Sequence, residues 1–454
     1  MHPDRSSRLR LSAAVFFAAL LVATGCASGP SSSSKATVNA YLASHRYSDA
    51  ETYLDANKDS QYGEKNAVLY YLDKGVVLNH EGKYVESDAT LDAAEQRMDQ
   101  LYTVSITKAG GMLLLNDNTV DYAGEPYERA LLNAFRAMNY VFLNKHDEAL
   151  VESRKLERFL QELNESTGGQ GIYKDDAFAR YLNALLFADS GMMDDARISL
   201  QASDAAYRDY ASLYGTPTPR FDFGPRQKHH GELVFIHYNG VAPRKQTRTY
   251  QIAWNEAAVI ARSDDSTDQQ ARNALVGGFM GNAITVAFPE MVQDPYRVVA
   301  SEVWVDNQPV ASTQLMEDVT AIAAKNLQNR IGLIRTRAIA RATVKFVLAE
   351  IASRAAARAC DQQFGSATWQ DILCRATASG ISHGVAAATE TSDERCWGTL
   401  PAQIRMARVK LSAGKHDVAV MFKDAAGVVI SSQTFSGVEI NDAKRTYLAY
   451  RTAQ

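Results

Sequence analysis

The chain is poor in the residues from which chemistry is usually read. Among 454 residues it holds four cysteines and 11 prolines, with no Cys-x-x-Cys pair and no His-Glu-x-x-His. Lacking paired thiols, it does not fit a zinc ribbon or a thioredoxin-like redox protein. Gly-x-x-x-x-Gly-Lys-Ser/Thr is also missing, and Gly277-Gly278-Phe279-Met280-Gly281 lacks the strand and helix context of a dinucleotide fingerprint. No metal or cofactor is expected. Charge of neither sign dominates, and a formal net charge of −4 makes a poor nucleic-acid binder. Beyond the first 25 residues no apolar run approaches the roughly 20 residues needed to span a bilayer.

What is present begins at the N-terminus. Arg5, Arg8 and Arg10 precede an uncharged apolar run from Leu11 to Ala23, and Thr24 and Gly25 stand directly ahead of Cys26. A positive flank, a short apolar stretch and a small-residue cleavage site make a secretory signal. Ala23-Thr24-Gly25-Cys26 resembles the bacterial lipobox, so residues 1–25 are expected to be removed and Cys26 to carry acyl chains. Several chains on one residue give lasting attachment, because each buried methylene contributes about 0.8 kcal/mol. Ala27 rather than aspartate follows the cysteine, which in lipoproteins of enterobacterial type implies the outer membrane, with the body facing the periplasm. Residues 26–36, including Gly-Pro-Ser-Ser-Ser-Ser-Lys at 29–35, read as the acylated end and a flexible tether. Cys360, Cys374 and Cys396 remain for one disulfide and one leftover thiol in an oxidising compartment, and the sequence does not choose the pairing.

From residue 37 to residue 214 apolar residues recur at helical spacing, with Pro126 the one proline. Gly75 and Gly82, then Tyr84, Ser87, Leu91 and Ala94, follow the small-residue and aromatic spacing of a tetratricopeptide helix pair. Ala184, Gly191, Met193, Ala196, Leu200 and Ser203 repeat those offsets, and Ala137, Asn144, His146, Ala149 and Ser153 do so more loosely. Hairpin turns are expected near His45, Gly82, Asn144 and Gly191, separated by 37, 62 and 47 positions. That spacing describes an irregular array with an insertion between the second and third pairs.

The insertion ends in Asp121-Tyr122-Ala123-Gly124-Glu125-Pro126-Tyr127-Glu128-Arg129, which leads into Ala137-Met138-Asn139-Tyr140. With Cys396-Trp397-Gly398-Thr399-Leu400-Pro401-Ala402-Gln403-Ile404, Ala407-Arg408 and Leu411-Ser412-Ala413-Gly414, it resembles an uncharacterised family of bacterial, mainly proteobacterial, lipoproteins with tetratricopeptide-like repeats. Cys396 departs from the polar residue expected before the tryptophan. The resemblance implies an architecture and a location, not an activity. Tyr122, Glu125, Tyr127, Glu128 and Arg129 have two readings. They form a partner-binding loop, or the tyrosines plug the gap between hairpins while Glu125 and Glu128 favour a helix N-terminus.

At Gly215 prolines enter and periodicity lapses, which marks a boundary before a C-terminal region from 215 to 454. Leu233 to Tyr238 reads as a buried strand, and Val298 to Val305 as a strand that turns at Asp306-Asn307 and returns through Val310. A helical insertion at about 317–391 carries Arg330, Arg337, Arg341 and Lys345 on one face, either solvated or touching lipid phosphates. From Ala407 to Arg451 the period-two pattern predicts an antiparallel meander, which with the earlier strands forms a sandwich-like β region. The fold class expected is therefore α+β.

Gly380-Ile381-Ser382-His383-Gly384 matches the nucleophile elbow of α/β-hydrolases, a motif that needs a strand before the serine and a helix after it. No strand pattern leads in, and Ala376, Gly380, Gly384 and Ala388 recur at every fourth residue as a smooth face for helix packing. His230 and His237 do not converge, since residues an odd number apart point to opposite sides of a strand, and His229 precedes the regular strand. The expectation is a non-enzymatic envelope scaffold that binds a protein or peptide on its helical array. A serine hydrolase using Ser382 and a carbohydrate- or peptidoglycan-binding β region are the alternatives.

Overall fold

Four turns of one kind set the course of the helical region. The computed structural model describes residues 29–105, 120–166, 173–220, 228–253, 283–366, 368–388 and 390–454. At His45, Gly82, Asn144 and Gly191 the backbone reaches φ of 55°, 85°, 57° and 77°, the left-handed conformation that closes a helix C-terminus. In each, the next amide donates to a carbonyl five residues back: Arg46 to Tyr41, Lys83 to Leu78, Lys145 to Tyr140 and Met192 to Phe187. These turns join α1 (Ser32–Ala43) to α2 (Tyr47–Ala56), α3 (Ala67–Glu81) to α4 (Tyr84–Ser105), α5 (Pro126–Phe142) to α6 (His146–Ser166), and α7 (Ala177–Asp189) to α8 (Met193–Leu213). Within a pair the helices approach closely. A Cβ on Gly75 of α3 would sit 2.5 Å from the Leu91 side chain of α4, and Ser87 donates to the Gly75 carbonyl at 2.7 Å.

After the helices come β1 (His230–Asn239), β2 (Arg244–Ala253), β3 (Ala283–Val292), β4 (Ala300–Val305), β5 (Gln308–Ser312) and β6 (Gln314–Asp318). Then follow α9 (Val319–Phe364), α10 (Trp369–Ala388), β7 (Gln403–Ser412), β8 (Gly414–Lys423), β9 (Val429–Ile440) and β10 (Arg445–Thr452). One sheet has the order β10-β1-β7-β6, another β5-β4-β8-β9, and β2 and β3 form a two-stranded ribbon. The expected meander is therefore broken. β7 lies between β1 and β6, while β8 crosses to the other sheet, because the chain turns out of plane at Ala413 and Gly414. Nor is the first sheet wholly antiparallel, since β10 returns parallel to β1, with Phe235 opposite Leu448.

β1 explains the layering. Leu233 and Phe235 point to one side and join Val303, Ala407, Val418, Val420 and Phe422 in the core between the two four-stranded sheets. Val234, Ile236 and Tyr238 point to the other and join the large core formed by the helices. Phe135 of α5 stacks on Tyr238 with centroids 5.1 Å apart, and Tyr207 of α8 donates to the Met316 carbonyl of β6 at 3.0 Å. The inner face of the helical region is thus covered by the chain's own sheet. α9, 46 residues long, spans about 70 Å at 1.5 Å per residue. Its first turns belong to the helical core and its middle packs on Ile284, Val286 and Phe288 of β3. Its far end is bound to α10 through a disulfide between Cys360 and Cys374, leaving Cys396 a buried free thiol. Among the described residues no helix is long and apolar enough to cross a membrane.

One junction between helices and sheet joins two acids. Asp176 caps α7, accepting from the Ala179 amide at 2.7 Å and from the Tyr173 hydroxyl at 2.7 Å. Beside it stands Glu317 of β6, fully buried. Burial, then the neighbouring Asp176 charge, raises the Glu317 carboxyl well above its ordinary range, and burial pushes Asp176 up to about 6. A carboxyl with a raised folded pKa stabilises below its unfolded value and loses that contribution as pH rises through the folded one. Thermal stability is therefore expected to fall as pH rises from about 5 through 6 to 8, and Glu317→Gln is expected to flatten that slope. Calorimetry at three pH values checks this, and an unchanged slope in the variant would refute it.

Candidate functional site

The segment from Asp121 to Arg129 is placed by its own helix start. Glu125 is extended, Pro126 opens α5, and the Glu125 amide donates to Glu128 Oε2 at 3.0 Å. This reciprocal arrangement occupies an amide that a helix start otherwise leaves without a partner. Gly124, at φ 80°, lies where a Cβ would be 2.5 Å from the Met98 side chain, so the strand-like approach needs glycine here.

The Glu128 carboxyl is wholly buried, and both its oxygens are used. Oε2 also accepts from the Tyr122 hydroxyl at 2.6 Å, and Oε1 accepts from the Trp397 amide at 2.8 Å. The Tyr-Glu-Arg segment and the Cys-Trp-Gly-Thr segment, 269 positions apart from Glu128 to Trp397, therefore meet at one carboxyl. A second carboxyl holds the same loop: Asp73 of α3 accepts from the Thr399 hydroxyl at 2.9 Å and from the Tyr62 hydroxyl at 2.8 Å. Burial, then the charge of Glu125, pushes Glu128 up to about 7, and burial pushes Asp73 up to about 6.

Glu125 behaves differently because cations face it. Lys245 of β2 lies 2.7 Å from Oε1, while Arg330 and Asn326 of α9 lie 2.9 Å and 3.0 Å from Oε2. Burial raises the Glu125 carboxyl, but Lys245 and Arg330 together outweigh that and hold it below its ordinary value. Arg395 completes the cluster, bonded to Asp393 at 2.8 Å and to the Val120 carbonyl at 2.7 Å, with its guanidinium 5.3 Å from the Tyr122 ring centre. These groups border a cleft of about 240 Å³ between the segment and α9.

The structure thus gathers Tyr122, Glu125 and Glu128 into one buried cluster and places Tyr127 beside it, edge-on to Tyr173. Arg129 is partly buried, pairing with Asp99 and lying 4.8 Å from the Phe159 ring centre, with its Nε buried and without a hydrogen-bond partner. As a group they clasp helices, ribbon and loop together, which favours the plug over the open binding loop. Most of the basic stripe on α9 is likewise committed inward. Arg330 meets Glu125, while Arg341 and Lys345 meet the buried Glu390 at 3.5 Å and 2.6 Å, leaving Arg337 exposed.

Other sequence candidates fall elsewhere. Ser382 lies inside α10 with helix on both sides, so the strand that a nucleophile elbow needs does not precede it. His237 points into the sandwich core, bonded to Ser301 at 2.9 Å and Thr452 at 2.8 Å, and burial lowers its pKa to about 3. His229 and His230 are exposed, and no metal-binding cluster occurs among the described residues. Cys26 and Gly277–Gly281 lie outside the described residues. Sequence reasoning missed Lys245, Asp393 and Glu390, which sit among other polar and charged residues in the stretches 244–248 and 390–395 and so carried no local signal. No family model, curated protein or solved structure matches the chain.

Removing one partner of a buried ion pair strands the other. Glu125→Ala is expected to lower unfolding free energy by about 3–5 kcal/mol in urea titrations. The exposed pair Arg248 and Glu290 is the control, where Glu290→Ala is expected to cost less than about 1 kcal/mol.

Proposed function

We propose that the chain is a lipid-anchored envelope protein that performs no chemistry and acts as a scaffold, engaging a protein of the cell envelope through its protruding hairpin. In this reading Cys26 carries the acyl chains on the periplasmic side of the outer membrane, and the tether is shorter than the 26–36 expected from the sequence, because Ser31 caps α1 and residues 32–36 already belong to that helix. The pairs α1–α2, α3–α4, α5–α6 and α7–α8 form an irregular tetratricopeptide-like array that serves as a rigid base. Its inner face is spent on the sheet, which moves the partner surface from the array to the hairpin.

The observation that carries the reading is at the far end of that hairpin, where Trp369 is 71% exposed, Ile372 61% and Leu373 58%. At spacings of three and four they share one face of α10, beside the disulfide that holds the two helices together. A tryptophan and two aliphatic chains in water are costly unless something covers them, and tryptophan is enriched among the residues that dominate protein interfaces. Leu348 and Ile351 are also exposed, further back along α9.

A photo-crosslinking residue placed at position 369 is expected to capture a protein in intact cells, and Trp369→Ala with Leu373→Ser is expected to reduce recovery at least tenfold without changing Tm. Adducts with lipid alone would refute the scaffold. Mass spectrometry of the native N-terminus tests the anchor separately: a product that retains residues 1–25, or has an unmodified thiol at Cys26, ends that part.

A further inference from the structure

Arg451, near the end of β10, is 1% exposed. Its Nη2 donates to the Leu400 carbonyl at 3.1 Å, but Nε and Nη1 are buried without a hydrogen-bond partner. The other arginines buried this deeply each face a carboxylate: Arg136 meets Glu95, Arg341 meets Glu390 and Arg395 meets Asp393. Arg451 has none among the described residues, and burial lowers its pKa to about 10. A buried charge without a counter-charge is strongly destabilising, so a fold that keeps one at a cavity wall is missing half of a pair.

The cavity is present. A pocket of about 250 Å³ lies between residues of the first three helical hairpins and the strands β9 and β10, with Arg451 at its wall. Tyr47, Tyr84, Phe142 and Tyr450 line it, Tyr84 and Phe142 being stacked at 4.8 Å. His45 bridges two of its lining side chains: Nδ1 lies 2.8 Å from the Tyr47 hydroxyl and Nε2 lies 3.2 Å from that of Tyr450. His80 is a second unpartnered group, its buried Nε2 lacking any hydrogen bond. Burial and the Arg451 charge hold this imidazole neutral, and neutral imidazole still offers one donor and one acceptor. No aspartate or glutamate lines the pocket.

We propose that this pocket binds a small carboxylate with an apolar, flat body, the carboxylate pairing with Arg451 and His80 and the body lying among the tyrosines and Phe142. Guanidinium is the side chain best matched to a carboxylate, the rings supply apolar walls, and the volume limits the ligand to about the size of a single aromatic acid. A free acid and the C-terminus of a peptide ending in an aromatic residue share this chemistry. The inference is independent of the hairpin surface.

Isothermal titration of the full chain with phenylacetate and with phenylacetamide reads the pairing directly. The acid is expected to bind at least tenfold more tightly, and comparing Gly-Gly-Phe with its C-terminal amide separates a peptide end from a free acid. Arg451→Met is expected to abolish the preference while leaving Tm unchanged or raised, because it removes an uncompensated charge. Tyr84→Ala, at the wall, is expected to weaken phenylacetate at least fivefold and provides a second variant should Arg451→Met fail to fold. Equal affinity of acid and amide, or no binding of phenylacetate, Gly-Gly-Phe or inorganic phosphate, would overturn the proposal, as would an Arg451→Met variant that retains the preference.

Discussion

The central strand β1 has no wet face, and the layered build of the molecule follows from that. Leu233 and Phe235 on one side and Val234, Ile236 and Tyr238 on the other are all buried, so β1 requires one partner layer above and another below. The second sheet covers one side and the helical hairpins cover the other. A helical array usually leaves one face wet for a partner. Here that face is consumed internally by the chain's own sheet.

Stacking three layers buries charge, and the chain handles each case by local geometry. Where cation and anion can meet, as at Glu125 with Lys245, the carboxyl stays ionised. Where only donors are at hand, as at Glu128 and Asp73, the carboxyl accepts from amides and hydroxyls and its pKa rises toward neutrality. Where two acids face each other, as at Asp176 and Glu317, proton uptake relieves the repulsion. All three cases sit at junctions between helices and sheet or loop.

The parts legible in the sequence were those with local causes. Gly82 and Gly191 mark turns because a left-handed residue is cheapest as glycine, and His45 and Asn144 were recognisable from their place between apolar periods. The run Leu233 to Tyr238 announced a strand buried on both faces. The two short motifs were visible, but not their meeting at Glu128, since nothing local ties residue 128 to residue 397. β6 was not anticipated, and its last two residues, Glu317 and Asp318, fell within the expected helical insertion because they run directly into α9. The parallel return of β10 was likewise invisible, for its pattern is that of any half-buried strand. Arg451 and Glu317 look like ordinary surface charges in the sequence, and only the packing of distant layers makes them costly.

That contrast between local and distant causes bears on where function resides. The Tyr-Glu-Arg segment is chemically rich, yet nearly every polar atom in it is matched from within the chain, and a matched group has little left to offer a ligand. Arg451 and the apolar tip of α10 are the reverse: chemically plain in the sequence, but left incomplete by the fold. A structure that satisfies four buried acids so fully has the means to satisfy one arginine, for example with an aspartate in place of Ala449 or Gln433, which border the same pocket. Leaving that charge unmatched costs stability, a cost that a carboxylate bound in the pocket would offset.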